Sequence, residues 1–242
     1  EGKKAEYLIL NGIECEPYLT ADDRLMQECA EQIVIGAKIL SKALEVQHTV
    51  IAIDRNKPEA IKAIQKASHK YEGVSVQVCE TKYPQGAEKQ LIKAITGREV
   101  PSGRLPIDVN CVVQNVGTAF AIYEAVQKHK PLFERIVTVS GDDVEKAGNF
   151  RVRIGTPSSY LIEKAGQKSE IGKIIFGGPM MGVAGVNLNA PITKTSSGIL
   201  ILKDESAYKP EVSSCIRCAT CVDVCPQGLE PYLIHTLIRK GE

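Results

Sequence analysis

The sequence lacks a surplus of either charge: 30 Lys and Arg stand against 29 Asp and Glu, a net charge of +1. Neutralising nucleic-acid phosphates needs a clustered excess of cations, and no basic block occurs, so nucleic acid is excluded as a partner. No apolar run approaches the ~18 residues that a membrane span needs. The opening EGKKAEYLILNG has no signal-peptide apolar region followed by a cleavage site. Any membrane contact is therefore expected to run through a partner. Eight cysteines in 242 residues are too few for a disulfide scaffold. Cys29, Cys79 and Cys111 stand singly in apolar runs and Cys15 in an acidic loop, a usage that suits a reducing cytosol. What the chain does have is 43% apolar residues, enough for one large or two modest cores. It opens almost directly on an apolar run and closes on LIHTLIRKGE, a helix-like pattern, so an internal piece of a longer polypeptide is expected.

The first half alternates strand and helix. Strands are expected at residues 7–10, 48–53, 74–78 and 111–113, and helices at 58–67 (with Pro58 in the first turn), 88–95 and 118–127. Between the first two strands, Thr20 offers an N-cap hydroxyl with Asp23 in the capping-box position. Met26, Ala30, Ile33, Ala37, Leu40 and Leu44 then recur at steps of four and three along one helix face. Strands alternating with helices imply parallel pairing, hence an α/β sheet over residues 1–130. The pattern changes after Pro131. Strands at 135–140, 150–154, 173–176 and 198–202, with one helix at 158–166 ended by Gly166, fit a small β-grasp-like unit over residues 131–205. A polar linker at 203–210 leads to a cysteine-rich segment, residues 206–242.

That segment holds Cys215, Cys218, Cys221 and Cys225 in the spacing Cys-x2-Cys-x2-Cys-x3-Cys-Pro. This is the bacterial ferredoxin run, in which closely spaced thiolates wrap an iron–sulfur cube and the proline redirects the chain. Zinc is more commonly held by separated pairs. In two-cluster ferredoxins the fourth cysteine serves the other cluster, and no further Cys-x2-Cys occurs here. Either a second run follows Glu242 or one cluster takes all four; the former is preferred. On that view Cys215, Cys218 and Cys221 serve one cluster and Cys225 another, and this chain alone holds little or no intact cluster. The helix expected after Pro231, with Leu233, Ile234, Leu237 and Ile238, would shield the loop from water.

Three strand ends carry the other candidate chemistry. Asn11-Gly-Ile-Glu-Cys-Glu-Pro17 leaves the first strand, Tyr83-Pro-Gln-Gly-Ala-Glu88 the third, and Gln114-Asn115-Val-Gly117 the fourth. The carboxyl edge of an open α/β sheet is where ligands bind. Amides and glycine N–H groups suit a flavin and its phosphate, and carboxylates suit ribose hydroxyls or a nicotinamide amide; ordinary turn chemistry also uses these residue types. The four histidines show no ligand spacing and read as surface or helix-end residues. Met180-Met181 in FGGPMMG is expected to pack beneath its turn, with contact to a partner as the alternative.

Together, NGIECEPYLTADDRLMQ, TKYPQGAEKQLIKAITGREVP, QNVGTAFAIYEAV, FGGPMMG and CIRCATCVDVCP resemble the C subunit of the Rnf ion-translocating electron-transport complex, over nearly the whole chain. The resemblance implies a parallel-sheet flavin-type domain like the 51-kDa subunit of respiratory complex I, then a β-grasp (SLBB-like) unit, then a ferredoxin-like segment. It implies FMN, NAD(H) as substrate, and two 4Fe-4S clusters in the full-length protein. Partners would be the other subunits of a membrane electron-transport complex and a ferredoxin-side redox protein, on the cytoplasmic side of the membrane. By the same resemblance, Asn11, Glu14, Glu16, Tyr83, Gly86, Glu88, Gln114, Asn115 and Thr118 fall where relatives contact FMN and NADH. Ile13, Ala87 and Gln114 depart from the complex I pattern, and the family's glycine-rich flavin-phosphate loop would lie upstream. These departures keep open a non-catalytic cluster relay and docking subunit. A third reading is a relative of the cobalamin reductase of bacterial microcompartments.

Overall fold

The structure, a computed structural model, describes residues 3–168, 171–203 and 213–241. The chain divides into two units, Glu1–Ala207 and Tyr208–Glu242.

In the first unit, β1 (Tyr7–Gly12), β2 (His48–Asp54), β3 (Val74–Cys79) and β4 (Cys111–Asn115) form one parallel sheet in the order β3-β2-β1-β4. The helices are α1 (Ala21–Glu28), α2 (Ala30–Leu44), α3 (Pro58–Ser68), α4 (Glu88–Thr96) and α5 (Val116–Lys128). Period-two alternation divides the strands between two cores. Leu8, Leu10, Ile51 and Ile53 pack against α1, α2, α3 and α5, whereas Ile9, Ala52 and Cys111 pack against Leu91 and Ile92 of α4. Covering on both faces is what a parallel sheet requires. The α2–α5 crossing is tight: a Cβ on Gly36 would lie 1.9 Å from the Ala119 carbonyl oxygen.

The expected apolar face from Met26 to Leu44 is present but runs over two helices. Cys29 leaves helical geometry (φ −125°, ψ 31°), although the Ile33 N–H still reaches its carbonyl at 3.0 Å. The expected Thr20 cap is absent. Its side chain is drawn away by Asn149, whose Nδ2 donates to Thr20 Oγ1 at 3.0 Å, and the Thr20 N–H donates to Thr138 Oγ1 at 3.1 Å. The Glu14 carboxylate takes over the cap, accepting from the N–H groups of Asp22 and Asp23 at 3.1 and 3.3 Å.

The second part of this unit is a five-stranded mixed sheet. β5 (Glu134–Ser140) pairs antiparallel with β6 (Gly148–Arg153) and parallel with β9 (Gly198–Lys203). β7 (Ile171–Phe176) lies antiparallel to both β9 and β8 (Val183–Gly185). First and last strands thus lie parallel at the centre, the β-grasp order. Leu161, Ile162 and Ala165 of α6 (Ser158–Ala165) pack under Val137, Val139, Ile174, Ile199 and Ile201. Met180 and Met181 do not pack beneath their turn: they are 56% and 78% exposed. Residues 204–210 of the expected linker, with the expected end of the β-grasp unit, lie outside the described residues.

In the second unit the cysteine loop includes a short helix, Thr220–Asp223, and is followed by helix Pro231–Lys240. Among the described residues the expected shielding is not found. Leu233, Ile234 and Ile238 are exposed, as are Cys215, Cys218 and Cys221. So few residues bury little surface by themselves. Among the described residues no helix is long and apolar enough to cross a membrane.

Candidate functional site

Strand order reverses between β1 and β4, which makes their carboxyl ends a topological switch point. Asn11, one residue before the end of β1, and Asn115, the last of β4, are register partners. Asn11 ties two loops together: its Nδ2 donates to Gly86 O at 2.9 Å, and its Oδ1 accepts from the Ile13 N–H at 3.0 Å. Gly86 makes this approach feasible, since a Cβ there would sit 2.9 Å from Ile13 O and 3.2 Å from Cys15 Sγ. Asn115 caps α5 by accepting from the Gly117 N–H at 2.7 Å. Its Nδ2 donates to Asp22 Oδ2 at 2.7 Å, which brings the first turn of α1 to the same point.

A cavity of about 280 Å³ opens there. Glu14, Cys15, Glu16, Asp22, Gly86 and Asn115 line it from the α/β side, and Arg135, Thr195 and Ser197 from the β-grasp side. A second cavity of about 410 Å³ is lined by Glu16, Phe176, the glycine loop after β7, residues 190–193 and residues 195–198. Glu16 lines both, with its carboxylate held by the Met180 and Met181 N–H groups at 2.9 and 2.8 Å.

Burial dominates the electrostatics. The Glu14 side chain is only 8% exposed, and burial, then the charge of Asp22, raise its pKa to about 7. The two N–H bonds and Lys57, whose Nζ lies 3.7 Å away, oppose that rise. Burial also raises Asp22, against the Asn115 bond and the charges of Arg135 and Lys57. Asp54, at the end of β2, is buried with neither oxygen in a well-formed hydrogen bond among the described residues, and burial raises it too, against the Glu14 backbone N–H and the charge of Lys57. Arg135 Nε is buried without a hydrogen-bond partner among the described residues.

Of the residues expected from the sequence, Asn11, Glu14, Glu16, Gly86 and Asn115 come together here. Tyr83 is partly exposed beyond a cis bond to Pro84. Desolvation, then the charges of Glu16 and Cys15, raise its phenol, and the residue lines neither cavity. Glu88 is exposed in the first turn of α4. Gln114 lies on the opposite strand face from Asn115, with Val112 against the helical core, and Thr118 lies on α5; neither lines the cavity. Sequence reasoning missed Arg135, Asp22, Thr195 and Ser197. The one available signal was the hydroxyl run Thr195-Ser196-Ser197 just before β9.

In the second unit, Arg217 N–H donates to Cys215 Sγ and Leu229 N–H to Cys225 Sγ, each at 3.4 Å. The Thr220 hydroxyl donates to Cys218 Sγ at 3.3 Å. Arg217 and Ala219 take left-handed backbone (φ 57° and 61°), which folds the loop back so that N–H groups meet sulfurs. Among the described residues no three Cys, His, Asp or Glu side chains converge as a metal shell.

The parallel sheet, its switch-point crevice and the appended five-stranded sheet define an open α/β domain of the nucleotide-binding type followed by a β-grasp module. Residues 1–124 match the Nuo51 FMN-binding domain model, half of the chain, and the chain belongs to that family; residues 136–184 match the SLBB domain. The C subunit of the proton-translocating ferredoxin:NAD(+) oxidoreductase complex of Clostridium ljungdahlii is 51% identical over 241 residues, which cover 98% of this chain and 52% of that protein. The C subunit of the Na(+)-translocating complex of Acetobacterium woodii is 48% identical over 96% of this chain and 53% of its own length. The C subunit of an ion-translocating oxidoreductase complex of Haemophilus influenzae is 47% identical over 99% of this chain and 37% of its own length. The resemblance expected from the motifs is thus met, and the chain spans about half or less of the length of these relatives. A chain of an NAD+-reducing [NiFe]-hydrogenase superposes with a TM-score of 0.70 at 17% identity, over 83% of this chain and 41% of that one, a likeness of fold.

Proposed function

We propose that this chain is the nucleotide-binding and cluster-bearing part of an electron-transfer subunit. It would exchange electrons between NAD(H) and iron–sulfur centres within a membrane-associated, ion-translocating oxidoreductase complex. The observation that carries this reading is the convergence of Asn11, Gly86, Asn115, Glu14 and Glu16 at the switch point between β1 and β4. The names of the relatives, ferredoxin:NAD(+) oxidoreductase subunits, describe that traffic.

The residues present fit FMN in chemistry. Asn11 and Asn115 offer amides, Gly86 leaves backbone open where a Cβ would crowd the loop, and Arg135 brings a buried N–H without a partner among the described residues. FMN, when bound, supplies the conversion between two-electron hydride chemistry and one-electron transfer. The protein's own part is binding and charge. Asn11 and Asn115 lock three strand-end loops into one wall. Arg135 places a cation beside the acids, and Glu14, with a pKa near 7, can hold or release a proton at the cavity wall. No side chain needs to act as a nucleophile.

Cys215, Cys218, Cys221 and Cys225 fit four-iron clusters as thiolate donors, with N–H and O–H groups already directed at three of their sulfurs; such bonds tune cluster potentials. The ferredoxin-like character of this segment and a seat on the cytoplasmic face of the membrane, reached through partner subunits, belong to the same proposal. Flavin absorbance and its bleaching by NADH in the full-length subunit test it. Retained FMN reduced by NADH is expected, and a purified subunit that neither holds FMN nor responds to NADH defeats the reading.

A further inference from the structure

Glu16 leaves β1 on the loop that carries Glu14 and Cys15, yet its carboxylate is held from the β-grasp part, 164 and 165 residues further along. Met180 N–H donates to Oε2 at 2.9 Å and Met181 N–H to Oε1 at 2.8 Å. One donor to each oxygen fixes the plane of the carboxylate as well as its position. The glycine loop is shaped around it. Gly177 sits at φ 103°, and the Gly182 N–H returns to Gly178 O at 2.8 Å. A Cβ on Gly178 would lie 2.3 Å from Glu16 Oε2 and 2.6 Å from its Cβ, so only glycine lets the backbone close to this distance. The exposed side chains of Met180 and Met181 do not anchor the loop by burial. A carboxylate has about four acceptor positions. The two N–H groups use two of them, and the others remain for O–H or N–H donors of a ligand.

Resting on the NAD(H) reading above, we infer that residues 177–182 of the β-grasp part are a positioning element of the nucleotide site: Gly178 and the Met180 and Met181 N–H groups hold Glu16 at the wall shared by the two cavities. There it meets the hydroxyl or amide donors of the nicotinamide nucleotide. The β-grasp part is then a wall of the site, and not only a spacer between flavin and clusters.

The test uses the full-length subunit, with wild type, Gly178→Ala, Glu16→Asp and the double variant compared. NADH affinity is read by equilibrium titration, KM and kcat by steady-state reduction, and folding by flavin content and melting temperature. Gly178→Ala is expected to weaken NADH binding about tenfold, the scale of a lost hydrogen bond to a charged group, with the effect in KM and not in kcat. Shortening the acid by one methylene draws its carboxylate back from the Met180 and Met181 N–H groups, so once Glu16→Asp is present, adding Gly178→Ala should cost little further NADH affinity. Unchanged NADH affinity in Gly178→Ala, or losses that simply add in the double variant, overturn the inference. If Gly178→Ala does not fold, amide exchange in the 177–182 loop of Glu16→Ala decides. Faster exchange at Met180 and Met181 is expected, and unchanged exchange overturns the inference. A wild-type subunit that fails to bind NADH defeats the functional reading itself, and the positioning role with it.

Discussion

Glu14 gives a quantitative test of how this site is built. Its carboxylate caps α1 but is almost fully buried beside Asp22, and its pKa is raised from 4.5 to about 7. An acid whose pKa is higher folded than unfolded binds its proton more tightly in the native state. Stability is therefore greatest below about pH 4.5, falls as pH rises toward 7, and levels off above. Integrated between pH 5 and pH 8, the linkage amounts to roughly 2–3 kcal/mol lost from Glu14 alone. Asp22 and Asp54, also raised, add to the fall in the same direction. Glu14→Gln keeps the shape and an acceptor oxygen for the cap but cannot ionise. Relative to wild type it should therefore gain about that amount on going from pH 5 to pH 8. Urea denaturation of the chain at pH 5, 6, 7 and 8, followed by far-UV circular dichroism, measures the difference at each pH. A gap between wild type and Glu14→Gln that stays constant across this range refutes the reasoning, and shows that the two N–H bonds and Lys57 outweigh burial and Asp22.

Three further outcomes are expected. Gly36→Ala drives a methyl against the Ala119 carbonyl, and since a backbone cannot swing aside, it should cost about 3 kcal/mol, the upper end for overpacking, read as a lower denaturation midpoint. Asn115→Ala removes the α5 cap and leaves Asp22 without its donor; a loss of roughly 2–3 kcal/mol is expected, together with lower flavin retention in the full-length subunit. Cys218→Ser in the full-length subunit should lower bound iron and acid-labile sulfide by about one four-iron cluster while the flavin content stays the same, because the ligand run and the switch-point crevice draw on separate segments of the chain; an unchanged iron content would count against Cys218 as a ligand.

Much of the architecture was legible because it follows from local periodicity. Short apolar runs alternating with helical segments gave β1 to β4, Pro58 in the first turn of α3 matched its place, and the spacing from Met26 to Leu44 gave the face that α1 and α2 bury. The strand-end loops were legible too, since Asn11 and Asn115 follow apolar runs in sequence, whereas their meeting at a switch point was decided by strand order and register. The caps were not. Thr20 has the right residue type, but a hydroxyl that can reach either its own helix or Asn149 is claimed by whichever the tertiary packing brings closer. Met180 and Met181 look like core residues by composition, whereas their backbone, held by Glu16, leaves both side chains outside.

By itself the sequence determined the order of elements, the two-part layout of the first unit and the thiol run Cys215–Cys225, because each depends on residues within about a dozen positions of one another. Only the tertiary structure decided that Glu14 serves as a helix cap and that Gln114 faces away from the cavity that Asn115 lines. It also brought Arg135, Thr195 and Ser197 to the acids of the β1 loop. Those meetings join segments more than a hundred residues apart. They depend on how two separately formed sheets dock, which no local pattern of side chains encodes.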